Sequence, residues 1–194
     1  YILCQFLSAD INQRTDQYGG SLKNRSRILF EIVHGIRKSC GPQFLVSVRL
    51  SPERFGMDLL EIKEICQRLN DEQQIDFLDI SLWDAFKYPE AEAYKNKTLL
   101  QHFADMPLNN VGLTVAGKIN NGHDVKDVLS TGVDFVTIGR AAILHHDFPS
   151  RVMADPDFET VSIPVSAAYL RKEGLGPDFI NYMRRWPGFV EGEE

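Results

Sequence analysis

At 194 residues, with 43% apolar and 25% charged residues, the chain is sized and composed as one packed globular domain or as part of a larger one, not as a disordered chain or a fibre. Its 27 acidic and 21 basic residues leave a formal net charge of −6, which argues against general nucleic-acid binding, since that needs a basic face to neutralise phosphates. No apolar run approaches the length needed to cross a bilayer, and Cys4, Cys40 and Cys66 are too few and too widely spaced for a disulfide framework or a zinc site. The first residues, Tyr1-Ile2-Leu3-Cys4, carry no basic segment of a signal peptide and read as a chain entered midway. The expected setting is a reducing cytoplasm, with neither membrane nor nucleic acid as partner.

Residues 1–20 show little periodicity, and Asp10, Asn12, Asp16, Gly19 and Gly20 are loop formers. Ser21 is the expected N-cap of a helix whose apolar stripe runs through Leu29, Ile32, Val33, Ile36 and Cys40, and Gly41-Pro42 stops it. Short apolar runs at 44–50, 75–82, 111–116 and 133–138 predict buried strands. Helical patterns at 59–69, 98–104, 121–130 and 141–154 follow them in turn, the last broken at Asp147-Phe148-Pro149. The strand starts lie 31, 36 and 22 residues apart, room for a crossover helix each time, so the pattern predicts a parallel sheet. Two closures fit: an open doubly wound sheet or a (β/α)8 barrel. No GxGxxG follows the first strand, so a dinucleotide-binding sheet lacks local support. Residues 1–154 are expected to form this α/β body, and 155–194, with short helices at 166–173 and 178–185, a tail packed on it.

The candidate chemistry lies in the loops after the last two strands. Val115-Ala116-Gly117-Lys118 and Ile138-Gly139-Arg140-Ala141 each combine a glycine, which lets an anion approach backbone N–H groups, with a cation. In barrels the loops after strands seven and eight commonly hold phosphate; the bland reading is two glycine turns with solvated cations. Arg49 sits at the end of an apolar strand and needs an anionic or carbonyl partner, either a ligand or a structural carboxylate such as Asp79. Asp76 and Asp79 could do acid–base work, but a cap or a helix-facing position is the commoner role. His145 and His146 are adjacent and make a poor metal pair; His34, His102 and His123 read as surface or cap residues. Trp83, Tyr182 and Trp186 could line a planar ligand or simply pack. No metal site is expected.

The run Gln5-Phe6-Leu7-Ser8, then Asn12-Gln13-Arg14-Thr15-Asp16-Gln17-Tyr18-Gly19-Gly20-Ser21 and Asn24-Arg25, resembles the long loop after the fourth strand in the old yellow enzymes, also called NADH:flavin oxidoreductases. Val48-Arg49-Leu50-Ser51, Val115-Ala116-Gly117-Lys118-Ile119 and Ile138-Gly139-Arg140 fall where that family's flavin-contacting segments fall. The resemblance implies the C-terminal half of a (β/α)8 TIM barrel that binds FMN. NADH or NADPH would be the reductant, and activated alkenes such as α,β-unsaturated carbonyls the small-molecule substrates. It places Tyr1 as the proton donor and Arg49 beside the flavin's N1 and O2. It puts Gly117, Lys118, Gly139 and Arg140 at the phosphate. Cys4 stands where the family often has His. Four strands leave two edges and one face to be covered, by a missing N-terminal half or by another copy, so association is expected. The rival readings are a non-catalytic anion-binding half-barrel and another phosphate-binding (β/α)8 enzyme, an aldolase or isomerase.

Overall fold

The computed structural model describes residues 2–192. They form two compact units, one of residues 2–117 with Val128–Thr137, the other of Lys118–Asp127 with residues 138–192.

The first unit opens with a helix, α1 (Ile2–Leu7), where the sequence reading expects a loop. Only Leu7 of these six residues is buried, so no periodic stripe announces it. The segment after α1 is tied down by two side chains of the loop run. Asn12 Nδ2 donates to the carbonyls of Phe6 (2.6 Å) and Tyr18 (2.7 Å), and its Oδ1 accepts from Arg14 N–H at 3.1 Å. Arg25 is buried and donates to the Gly20 and Leu7 carbonyls and to Glu61. The run that carries the family resemblance is thus largely a scaffold for its own backbone.

Helix α2 (Leu22–Cys40) begins at Ser21, whose hydroxyl accepts from Asn24 N–H, and ends at Gly41 with φ 78°, a left-handed value glycine adopts at little cost. It buries Leu29, Phe30 and Val33. Helix α3 (Leu59–Glu72) is capped by Asp58, and α4 (Leu99–Ala104) by a Thr98–Gln101 capping box. Both present buried apolar stripes, through Ile62, Ile65, Cys66 and Leu69 on α3 and Leu99, Leu100 and Phe103 on α4.

Four strands, β1 (Ser47–Leu50), β2 (Phe77–Ser81), β3 (Gly112–Ala116) and β4 (Phe135–Val136), form a wholly parallel sheet in that order. Helix α5 (Gly122–Leu129) connects the last two. Every strand is shorter than its apolar run. Phe44 and Leu45, expected in the first strand, lie outside it and are exposed. Carboxylates stand in for the ladder at the strand beginnings: Asp76 Oδ2 accepts from Val46 N–H at 2.7 Å, and Asp134 Oδ2 from Leu113 N–H at 2.6 Å. Val48, Leu50, Leu78, Ile80, Leu113 and Val115 are all buried. The alternate positions carry Ser47, Arg49, Phe77, Asp79, Ser81 and Thr114, so register sends the polar side chains to one face.

The second unit contains α6 (Arg140–Leu144), α7 (Phe148–Ala154), α8 (Ala167–Lys172) and α9 (Pro177–Met183). The predicted 141–154 helix is two helices, and Pro149 occupies the first turn of the second, where its missing N–H costs nothing. The unit's core joins Leu144 to Val165, Leu170, Ile180, Met183 and Phe189 from the tail. Among the described residues, no helix is long and apolar enough to cross a membrane.

Candidate functional site

At the C-terminal end of β1 and β2, register puts Arg49 opposite Asp79. Their side chains pair at 3.5 Å, and Arg49 Nη2 donates to Ser81 Oγ at 3.2 Å. The pairing is loose. The Arg49 side chain remains 53% exposed against 14% for Asp79, so the guanidinium keeps donors free while the carboxylate is largely enclosed. Burial pushes the Asp79 carboxyl above its ordinary value, opposed by the Arg49 charge and the Thr137 side chain. Its Oδ1 is buried without a hydrogen-bond partner among the described residues. Arg49 therefore has the structural carboxylate expected of one reading, and that pairing leaves about half of its side-chain surface open.

Arg49 and Ser81 line a cavity of about 440 Å³ together with Cys4, Arg54, Phe55 and Trp83. The Arg54 guanidinium lies over the Trp83 ring, 4.0 Å from its centroid, and 5.5 Å from that of Phe55. Phe55 and Trp83 have φ of 64° and 65°. A bulky residue in the left-handed region costs about 1–3 kcal/mol, and such strain gathers at functional sites. Gly56, beside Phe55, also has positive φ, and a Cβ there would lie 2.4 Å from Ser8 Oγ. The turn that presents Arg54 and Phe55 is thereby seated against the loop after α1. Burial raises the Cys4 thiol. Tyr1 lies outside the described residues.

The two glycine loops differ in character. At Gly117 a Cβ would come within 2.9 Å of the Asp84 and Ala85 amide nitrogens, and its carbonyl accepts from Ala85 N–H at 3.0 Å. Close backbone approach alone requires glycine there. In the second unit Lys118 is exposed, with φ 49°. Gly139 is exposed and precedes α6, and a Cβ there would meet nothing within 4 Å. The half-buried Arg140 guanidinium has no hydrogen bond or ion pair among the described residues. Helix α6 is only five residues long, so its dipole adds little; backbone amides and cations carry any anion binding at this loop.

Several other candidates take structural roles. Asp76 is a clamp: Val46 N–H and Arg37, at 2.7 and 2.9 Å, hold its carboxyl below the ordinary range. His102, expected at the surface, is buried, with Nε2 2.8 Å from the Tyr94 carbonyl. His34 pairs with Glu72 and His123 with Asp157. His145 and His146 part as adjacent residues should, the first buried and the second exposed. His146, Asp147 and Glu173 bring three potential ligand atoms within 4.8 Å, but His146 is engaged with Glu173 and Asp147 with Arg151. Trp186 packs edge-on to Phe189, and Tyr182 stacks on Phe179. The residue that sequence reasoning misses is Arg54. It stands in a polar turn with no motif, and only the left-handed backbone at Phe55 and Trp83 brings it to the cavity.

A family model described as NADH:flavin oxidoreductase / NADH oxidase family matches residues 1–157. A probable NADH-dependent flavin oxidoreductase, YqiG, of Bacillus subtilis (strain 168) is 30% identical over 159 residues, which cover 78% of this chain and 42% of that protein. A cinnamate reductase of Clostridium sporogenes is 28% identical over 176 residues, covering 80% and 26%. Among solved structures, morphinone reductase in complex with tetrahydroNAD superposes with a TM-score of 0.63 at 25% identity, over 87% of this chain and 43% of that one. The chain therefore spans less than half the length of these relatives.

Proposed function

The chain belongs to the NADH:flavin oxidoreductase / NADH oxidase family, and on that premise we propose that it supplies the C-terminal half of an FMN-binding (β/α)8 barrel that reduces activated alkenes with NADH or NADPH. In this reading residues 1–154 belong to the barrel and 155–194 form its tail. The observation that carries it is Arg49: a guanidinium at a strand end, steadied by Asp79 and Ser81, with half its side-chain surface still open beside a cavity.

The residues of each unit suit the cofactor. In the first, Arg49 offers a fixed positive charge for the electron-rich edge of a planar heterocycle, in a cavity of about 440 Å³. In the second, the open space at Gly139 and the unsatisfied Arg140 guanidinium suit a phosphate, with Lys118 as a further cation. FMN, when bound, supplies the transfer of hydride between a reduced nicotinamide and the acceptor. The protein's own part is to hold Arg49 in place through Asp79 and Ser81, to grip phosphate in the second unit at Lys118, Gly139 and Arg140, and to deliver a proton to the acceptor's α-carbon from Tyr1.

The test is FMN retention by the natural full-length polypeptide with Arg140→Ala. Loss of a charge-assisted contact to phosphate should weaken FMN binding roughly tenfold or more. Flavin content equal to the wild type after repeated dilution would contradict the assignment.

A further inference from the structure

On the polar face of the sheet, Asp79 is a carboxyl whose charge is only partly compensated. Register sets it beside Arg49 on β1 and Thr114 on β3, with Ser81 two residues along its own strand. Its side chain is largely enclosed, and its Oδ1 has no hydrogen-bond partner among the described residues. Two neighbours oppose the cost of burying its charge, the Arg49 guanidinium at 3.5 Å and the Thr137 side chain after β4. Thr137 shares a 2.9 Å hydrogen bond with the buried Thr114, and these two, like Ser81, are neutral hydroxyls. Arg49 is thus the one charged group among these neighbours, and it is loosely held, half exposed and shared with Ser81. A buried carboxylate that loses its counterion is more stable with a proton than with a bare charge.

We propose that Asp79, acting through Arg49, takes up a proton from water when a cofactor beside Arg49 is reduced, and returns it when the cofactor is reoxidised. The inference rests on the flavin reading above and gives Asp79 a role in it beyond holding Arg49 in place. Charge balance sets the direction. A hydride from NAD(P)H carries two electrons with one hydrogen nucleus, so its arrival adds one negative charge beside Arg49 as NAD(P)+ leaves. That charge competes with Asp79 for the guanidinium and repels a second anion, and both effects favour the neutral acid. Departure of the hydride to the acceptor reverses both, so the proton on Asp79 cancels over the cycle. By reciprocity, a proton on Asp79 favours reduction as much as reduction favours the proton. Asp79 is therefore a positioning residue whose own charge state follows that of the site.

The experiment follows the midpoint potential of flavin bound to the natural full-length polypeptide against pH, in wild type and Asp79→Asn. Over the interval in which Asp79 titrates, the wild-type slope should exceed that of Asp79→Asn by up to one proton per two electrons. The two curves should meet in acid and separate as pH rises, with Asp79→Asn the more easily reduced. Equal slopes overturn the proposal. So does an offset that is the same at every pH, which would make Asp79 purely structural. A second measurement needs no variant. Infrared difference spectra of the wild type should gain the carbonyl band of a protonated carboxyl on reduction, and the band should shift with isotope-labelled aspartate. Its absence overturns the proposal as well. A wild type that holds no flavin overturns the flavin reading together with the proposal, whereas a flavin-loaded protein with equal slopes overturns the proposal alone.

Discussion

Arg25 and Arg49 both fall in segments that carry the family resemblance, and they meet opposite fates. Arg25 is buried and fully engaged by two carbonyls and Glu61, which makes it structural. Arg49 has one loose ion pair and one hydroxyl, which leaves it available. The partners of Arg25 lie as far as 36 residues away in sequence, so local pattern cannot separate the two cases. His145 is another residue whose role only the fold reveals. Its Nε2 accepts from Val161 N–H at 3.0 Å, its Nδ1 lies 3.2 Å from the Tyr169 hydroxyl, and it packs edge-on to Phe158. Burial, helped by the Arg151 charge and opposed by Glu173 and Asp147, pushes its pKa below the ordinary value. A depressed histidine contributes stability that is present above its unfolded value, about 6.5, and is lost as pH falls toward the folded value. The second unit should therefore weaken as pH falls through and below about 6.5. The signal of Trp186 in a Trp83→Phe variant reads this unit alone. A denaturation midpoint that holds steady across that range would contradict it.

At the scale of elements, the 3.6-residue period locates the helices, and short continuous apolar runs locate the strands of the sheet. The ends are less legible. Strand 44–50 shrinks to Ser47–Leu50 because a side chain three decades of sequence away, Asp76, takes the Val46 N–H. The same device recurs at Asp134, so both aspartates act as fasteners between neighbouring strand beginnings. Asp76→Ala should cost about 1.5–3 kcal/mol of stability, the range for hydrogen bonds to a charged group. That loss should appear as a lower urea midpoint. Asp76 has a depressed carboxyl, so its contribution is present above an unfolded value of about 3.9 and disappears as pH falls through the folded value. The mutant and wild type should converge in acid; a gap that persists there would show that another interaction is lost. Helix α1 was not legible for the opposite reason, since one buried residue in six leaves no stripe.

For the molecule as a whole, the strand–helix alternation predicts the parallel sheet, and the sheet's register turns Arg49, Asp79 and Ser81 onto one face. The sheet ends at β1 and β4, and the face opposite the buried aliphatics carries exposed Arg49 and Phe135. On the barrel reading this surface would be covered by further barrel strands or by another copy. The loop motif located the family, while the cavity beside Arg49 is lined by Phe55 and Trp83, whose left-handed backbone no motif marks. The most direct measurement is an anaerobic titration of the purified full-length polypeptide. The account predicts bound flavin that bleaches with NADH or NADPH and regains its colour on adding an α,β-unsaturated carbonyl compound. A polypeptide that carries no flavin, or one whose bleached flavin no activated alkene restores, would contradict it.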